Sequence, residues 1–105
     1  MKYYTVAELD FTDRAWTAAY VKAVTPLIEQ NGGRYLARTN HFETMEAGSA
    51  APPHLFLLVE WPSREAALKF YESEEYRPFK QSRLEGSKGP LYLVPGEDVS
   101  RVAKI

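Results

Sequence analysis

The sequence predicts an α+β fold: a ferredoxin-like β-α-β-β-α-β sandwich, with a four-stranded antiparallel sheet and both helices on one of its faces. Three observations predict it. Four segments are rich in β-branched and aromatic residues: Lys2–Leu9, Arg34–Thr39, His54–Trp61 and Leu91–Val94. Apolar residues at helical spacing fill the intervals between the first two strands and between the last two. Finally, one parity of each strand is almost wholly apolar while the other is mixed, as expected of a sheet with two different faces.

Each element has a local cause. KYYTVAEL opens the chain as a strand, and Thr12 and Asp13 are N-cap candidates for a helix beginning at Arg14. Trp16, Tyr20, Val24, Leu27 and Ile28 recur at steps of three and four and form its apolar stripe. Pro26 lacks a backbone donor and is expected to kink this helix or split off its last turn. Asn31-Gly32-Gly33 ends it, because a glycine accepts the left-handed conformation just past a helix C-terminus. Arg34–Thr39 is the second strand. His41–Pro53 reads as a long polar loop whose first part, HFETME, is able to prolong that strand. HLFLLVEW is the strongest strand in the chain. Pro62-Ser63 stops it and caps a helix to about Glu72, with Ala67, Leu68, Phe70 and Tyr71 facing inward. Ser73 caps a further short helix with Tyr76 and Phe79 at an i, i+3 spacing. Leu91–Val94 is the last strand and Gly96–Ile105 a tail.

Composition narrows the function classes. At 105 residues the chain is one domain, 1–105, with a modest core. A net charge of −1 and a pI near 6.1 give no electrostatic case for nucleic acid or anionic membrane. The absence of cysteine excludes disulfide and thiol chemistry and fits a reducing compartment. MKYYTVAELD has no apolar leader core, and no apolar run approaches the ~20 residues that span a bilayer. The expectation is a cytoplasmic domain.

Right-handed crossovers put the first and third strands side by side in the centre and parallel, with the second outside the third and the fourth outside the first. The apolar parity, which includes Tyr3, Thr5, Ala7, Tyr35, Ala37, Leu57, Val59 and Trp61, is expected to face the helices. The mixed parity leaves Val6, Leu36, Phe56, Leu58, Tyr92 and Val94 on an open face, together with Glu8, Arg34, Arg38, His54 and Glu60. An apolar patch of that size is seldom left in water, and a second copy of the chain is its simplest cover. The expected partner is therefore the chain itself, as a homodimer. In the parallel arrangement Glu8 and Glu60 end near each other, Arg34 falls near Glu60, and Arg38 is left near His54 without an acid of its own.

The string GGRYLAR, followed by LLVEWPSREAALKFYESEEYRPF, closely resembles the bacterial family named "domain of unknown function 1330", of the dimeric α+β barrel superfamily. Its most specific parts are Gly32-Gly33-x-Tyr35-x-x-Arg38, Glu60-Trp61-Pro62-Ser63 with Ala66-Ala67, and Phe70-Tyr71-x-Ser73-x-Glu75-Tyr76. The resemblance spans nearly the whole chain. It implies the same fold and a dimer formed through the sheets. The family often has two glycines after the arginine; here Thr39-Asn40 stand there, so the loop leaving the second strand departs from the pattern. Superfamily relatives include cofactor-independent oxygenases of polycyclic aromatics, lactone isomerases and haem-degrading enzymes. That breadth implies a small-molecule-handling protein and leaves the reaction open.

Each candidate site residue has a plainer alternative. Arg38 cannot shed its charge, so on an enclosed face it anchors a carboxylate or developing oxyanion, or else satisfies strand-end carbonyls or an interface acid. Glu60 is a general base if Glu8 crowds it, and otherwise an ion-pair partner. His54 is a proton carrier or a strand-end residue. Trp16, Tyr20, Tyr71 and Tyr76 line a site for a flat aromatic or cyclic ligand, or form core with hydroxyls that need partners. His41-x-Glu43 and His54 lack metal-ligand spacing, and Gly32-Gly33 follows a helix and precedes a strand, the wrong order for a phosphate loop. No metal and no cofactor are expected.

Two functions fit: a cofactor-independent isomerase, lyase or oxygenase acting on a hydrophobic carbonyl or aromatic substrate, or a non-catalytic small-molecule binding or stress-response module. A ferredoxin-like RNA binder fits less well, since HLFLLVEW lacks the basic-glycine-aromatic pattern such domains use.

Overall fold

A computed structural model describes residues 1–105. The chain runs β1 (Tyr3–Phe11), α1 (Thr17–Gln30), β2 (Arg34–Thr39), β3 (Leu55–Trp61), α2 (Arg64–Tyr71), α3 (Arg77–Gly86), β4 (Ser87–Lys88) and β5 (Leu91–Pro95). The sheet order is β2-β3-β1, with β5 and the two-residue β4 both on the far side of β1. This is the expected ferredoxin-like arrangement with one short strand added.

The orientation of the central pair differs from expectation. β1 and β3 are antiparallel, with Tyr4 opposite Glu60 and Glu8 opposite Phe56. β2 is antiparallel to β3 as well, so the parallel strands are β1 and β2, which α1 joins across the intervening β3. The crossover rule governs that pair rather than the neighbours. Glu8 and Glu60 therefore lie toward opposite ends of the sheet.

α1 begins at Thr17, three residues later than its capping residues suggest. Residues 12–16 are instead tied to the end of α3: the amides of Thr12 and Asp13 donate to the Gly86 carbonyl, and Trp16 Nε1 donates to the carbonyls of Asp13 and Gly86. Gly86 leaves room for that indole, which would collide with any Cβ there. The helix continues through Pro26 to Gln30 with no separate last turn. Its end follows the expected chemistry. Gly32 has φ +90°, its amide donates to Glu29, and the Gly33 amide donates to Ile28 at 2.9 Å. Ser63 caps α2 by accepting from the Ala66 amide at 3.1 Å. Beyond β2, residues 40–54 form an exposed loop, and HFETME adds nothing to the strand.

The core lies between the sheet and the helices, around Val24, Ile28, Val59, Trp61, Ala67, Phe70 and Tyr76. Trp61 is fully buried, and its indole donates to the Thr5 hydroxyl at 2.9 Å. On the other face Leu36, Tyr92 and Val94 are exposed, and Val6, Phe56 and Leu58 are covered only by their neighbours.

A single irregularity in β2 sets the position of Arg38. Tyr35 faces Val59 and Ala37 faces Leu58, so Leu36 is an extra residue, a β-bulge. A one-residue slip exchanges the faces of every side chain beyond it. Arg34, before the bulge, stays opposite Glu60 on the open face. Arg38, after it, pairs with Leu57 and turns to the helix side. The expectation that Arg38 shares the open face with Arg34 is thus reversed by the bulge.

Candidate functional site

Three tyrosines meet between the layers. Tyr20 lies one turn from Val24 and two from Ile28, so helical periodicity turns it toward the sheet. Tyr71 ends α2 and Tyr76 precedes α3. The corner between them is held by Ser73, whose hydroxyl donates to the Phe70 carbonyl at 2.7 Å and accepts from the Tyr76 amide at 3.3 Å. The hydroxyls of Tyr20 and Tyr76 are 2.6 Å apart, and Arg83 Nε donates to Tyr76 at 3.3 Å. Tyr71 stands 6.1 Å from Tyr76, ring to ring, and remains half-buried, with the Lys80 ammonium 4.3 Å over its face. Tyr20, Tyr71 and Tyr76 line a partly open cavity of about 200 Å³ whose other walls include Leu57, Trp61, Phe70 and Leu93. Thr5 is the one wall residue that is neither apolar nor aromatic.

A smaller cavity of about 60 Å³ adjoins it, since Tyr20, Ile28, Leu57 and Leu91 line both. Trp16 belongs to this second space and packs edge-on against Tyr20 at 5.2 Å. So do Arg38 and Arg83. Arg38 reaches Thr25 Oγ1 of α1 at 3.0 Å and lies 4.4 Å over the Tyr35 ring, both on the helix side of the sheet. Arg83 is 5% exposed and extends from the inner face of α3.

The electrostatics are unusual in lacking acid. The chain has two ion pairs, Lys2–Glu60 and Arg77–Glu74, and neither includes Arg34, Arg38 or Arg83; His54 Nδ1 lies 3.9 Å from Asp10. Burial pushes the Tyr20 phenol well above its ordinary pKa, and the neighbouring Tyr76 adds to the shift. Burial also raises Tyr35, with the Arg38 cation acting in the opposite direction. For Arg83, burial works against the charged form, but the oxygens of Tyr76, Tyr20 and Tyr71 outweigh it and hold its pKa above the ordinary value. These side chains offer Arg83 hydroxyl oxygens, and no carboxylate pairs with it.

The sequence-predicted residues thus separate into two groups. Tyr20, Tyr71 and Tyr76 surround one cavity, and Trp16 and Arg38 line its smaller neighbour. Glu60 and His54 are elsewhere. Glu60 projects from the open face, where Lys2 Nζ meets it at 3.0 Å; Arg34 stands opposite it in register but forms no ion pair. His54 precedes the other end of β3, about 20 Å from Glu60 at the rise of an extended strand. Its Nδ1 accepts the Phe11 amide at 2.9 Å, its own amide donates to Asp10 at 3.1 Å, and its ring stacks on Phe11. These bonds join the start of β3 to the end of β1. His41 and Glu43 lie in the exposed 40–54 loop. Arg38, Glu60 and His54 are therefore not brought together. Arg83 is the residue that sequence reasoning missed. The signal was available: Tyr76, Phe79 and Arg83 continue one helical stripe, and an arginine on an inward stripe requires acceptors.

This geometry defines a class: a ferredoxin-like α+β domain with a largely apolar cavity between its sheet and its helices. Residues 2–97 match the model of the family described as "Domain of unknown function (DUF1330)", and the chain belongs to that family. No curated protein matches the sequence significantly. Solved structures share the fold. A protein of unknown function from Rhodopseudomonas palustris aligns with a TM-score of 0.74 at 16% identity, covering 92% of this chain and 84% of that one. SnoaB, a cofactor-independent oxygenase from Streptomyces nogalater, aligns with 0.63 at 10% identity, over 95% and 97% of the two chains. An antibiotic biosynthesis monooxygenase aligns with 0.53 at 16% identity, over 93% and 100%. At such identities the likeness establishes the fold alone. No helix is long and apolar enough to cross a membrane.

Proposed function

We propose that this protein is a homodimeric small-molecule-handling protein that binds a planar hydrophobic ring compound between its sheet and its helices. The observation that carries this reading is the 200 Å³ cavity, whose walls are apolar except for Thr5 and the tyrosine hydroxyls. An engineered cavity of about 150 Å³ takes up benzene, so this one suits one or two fused rings. Dimerisation is supported by shape. The chain measures 44 × 34 × 17 Å and exposes 7414 Å², against about 6,000 Å² for a typical monomer of its mass. Val6, Leu36, Phe56, Leu58, Tyr92 and Val94 make the open sheet face the natural seat of a second copy.

Binding without catalysis is favoured by the walls, which contain no carboxylate and no imidazole. The enzymatic reading is supported by one feature, the Tyr20–Tyr76–Arg83 hydrogen-bonded chain, which resembles a preorganised stabiliser for an oxyanion. In that reading the substrate supplies its own reactivity, as a cofactor-independent oxygenation requires. Of Arg38, Glu60 and His54, only Arg38 then lies near the bound molecule, in the smaller adjoining cavity.

Titration with naphthalene, followed by tryptophan fluorescence, tests the site. A dissociation constant of the order of 0.1 mM is expected from the contact area of ten carbon atoms. Leu93→Trp, which fills the cavity from β5, is expected to abolish the signal while the protein stays folded. Unchanged affinity in that variant would remove the cavity from consideration.

A further inference from the structure

The larger cavity explains an apolar ligand but gives no reason for two guanidinium groups beside it. Arg83 is 5% exposed. A guanidinium carries five N–H donors and cannot be deprotonated. Only Nε has a protein acceptor, Tyr76, at 3.3 Å; the two terminal nitrogens have none. No carboxylate pairs with it at any distance up to 4.0 Å. No side-chain nitrogen is both sealed off and unpartnered, so these two terminal nitrogens open onto space that an acceptor can enter.

The surroundings say where that acceptor sits. Arg83 lines the 60 Å³ cavity, and the bulge at Leu36 brings Arg38 to the same cavity from the sheet side. Arg38 likewise has no acid partner and only Thr25 as acceptor. The remaining walls, including Leu9, Trp16, Leu55 and Leu57, are apolar except for Thr17 and the hydroxyls of Tyr20 and Tyr35. Tyr20, Ile28, Leu57 and Leu91 belong to both cavities, so the two abut at these side chains.

We propose that the smaller cavity is an anion subsite in which Arg83 and Arg38 hold the carboxylate of an aromatic acid whose ring fills the larger cavity. This rests on the ring-binding reading above and adds the charge of the ligand. A carboxylate is the chemistry that fits, because its two oxygens match the planar fork of a guanidinium and make two parallel, charge-assisted bonds. The hydrogen-bond order is consistent with it. Arg83 donates to Tyr76, so the Tyr76 hydroxyl is free to donate to Tyr20, and the Tyr20 hydroxyl remains as one more donor at the junction of the two cavities.

The test compares three ring compounds of nearly one size: naphthalene, 2-naphthamide and 2-naphthoate, titrated calorimetrically into the full chain. The naphthoate is expected to bind tenfold or more tightly than the amide, roughly the value of one charge-assisted hydrogen bond. In Arg83→Met that preference for the naphthoate over the amide is expected to vanish. Should Arg83→Met fail to fold, Arg38→Gln, at the exposed rim, serves instead and is expected to reduce the preference severalfold. If naphthalene and the amide bind but the naphthoate binds no better, the anion subsite is wrong and the ring cavity stands. If the preference survives both substitutions, the carboxylate is held elsewhere and the assignment to Arg83 and Arg38 fails. If none of the three binds, the ring cavity itself is wrong and this inference falls with it.

Discussion

The two faces of the sheet are made by the same strands under the same alternation, yet they end in opposite states. On the helix side Ala7, Leu9, Val59 and Trp61 are buried, and Gly33 is left without a side chain so that Ile28 and Trp61 can close over it. On the other side Tyr92 is 58% exposed, with Val94 exposed on the same strand and Leu36 at the opposite edge of the sheet. The first face is completed within one chain and the second is not. Only 12 of the 105 residues are buried, which is few for a domain that must fold on its own core. The contrast teaches that hydrophobic patterning specifies a demand for cover, and that this chain meets the demand on one side only.

The largest expected effect lies on the completed face. Trp61→Ala removes the largest buried side chain together with its bond to Thr5 and is expected to cost about 3–5 kcal/mol in urea unfolding. A loss below about 1 kcal/mol would mean that this face is not the core.

Leu58→Arg, on the same strand but the opposite face, sharpens the contrast. It is expected to weaken self-association by roughly a hundredfold or more, because an interface that buries an unpaired charge is strongly penalised. The protomer is expected to remain folded, as read by circular dichroism alongside light scattering. A wild-type chain that scatters as a monomer at micromolar concentration would break the comparison, leaving the open face simply wet.

Tyr76→Phe probes the polar part of the completed face. It leaves Arg83 Nε without its acceptor and takes one partner from Tyr20, so a loss of about 1–3 kcal/mol is expected by thermal or chemical denaturation. A neutral result would show that water already serves both groups.

The smallest effect belongs to Arg38→Ala. The side chain is exposed, and its bond to Thr25 and stacking on Tyr35 together are expected to contribute about 1 kcal/mol or less. A loss of several kcal/mol would make this residue a structural part of the helix-side layer. A small loss leaves it available to a ligand.

Local signals account for the parts of the fold that the sequence determined by itself. Helical spacing located α1 and α2, Ser63 and Gly32 marked where one begins and the other ends, and two-residue alternation separated the faces of β1, β3 and β5. Each of these depends on residues within a few positions of one another. The gathering of Tyr20, Tyr71 and Tyr76 came from the same periodicities once both helices lay on one face. The remainder depended on pairings between distant segments. The start of α1 moved to Thr17 because Gly86, far along the chain, accepts the amides of Thr12 and Asp13. The two-residue β4 is too short to show any period. The antiparallel setting of β1 and β3 separated Glu8 from Glu60, and strand direction is a property of the whole sheet. The bulge at Leu36 has no glycine or proline to announce it, and it alone transferred Arg38 from the open face to the side of Arg83. Sequence determined which side chains seek burial and at what spacing; the tertiary structure decided which face receives them, because a one-residue change of register costs little locally and reverses every side chain beyond it.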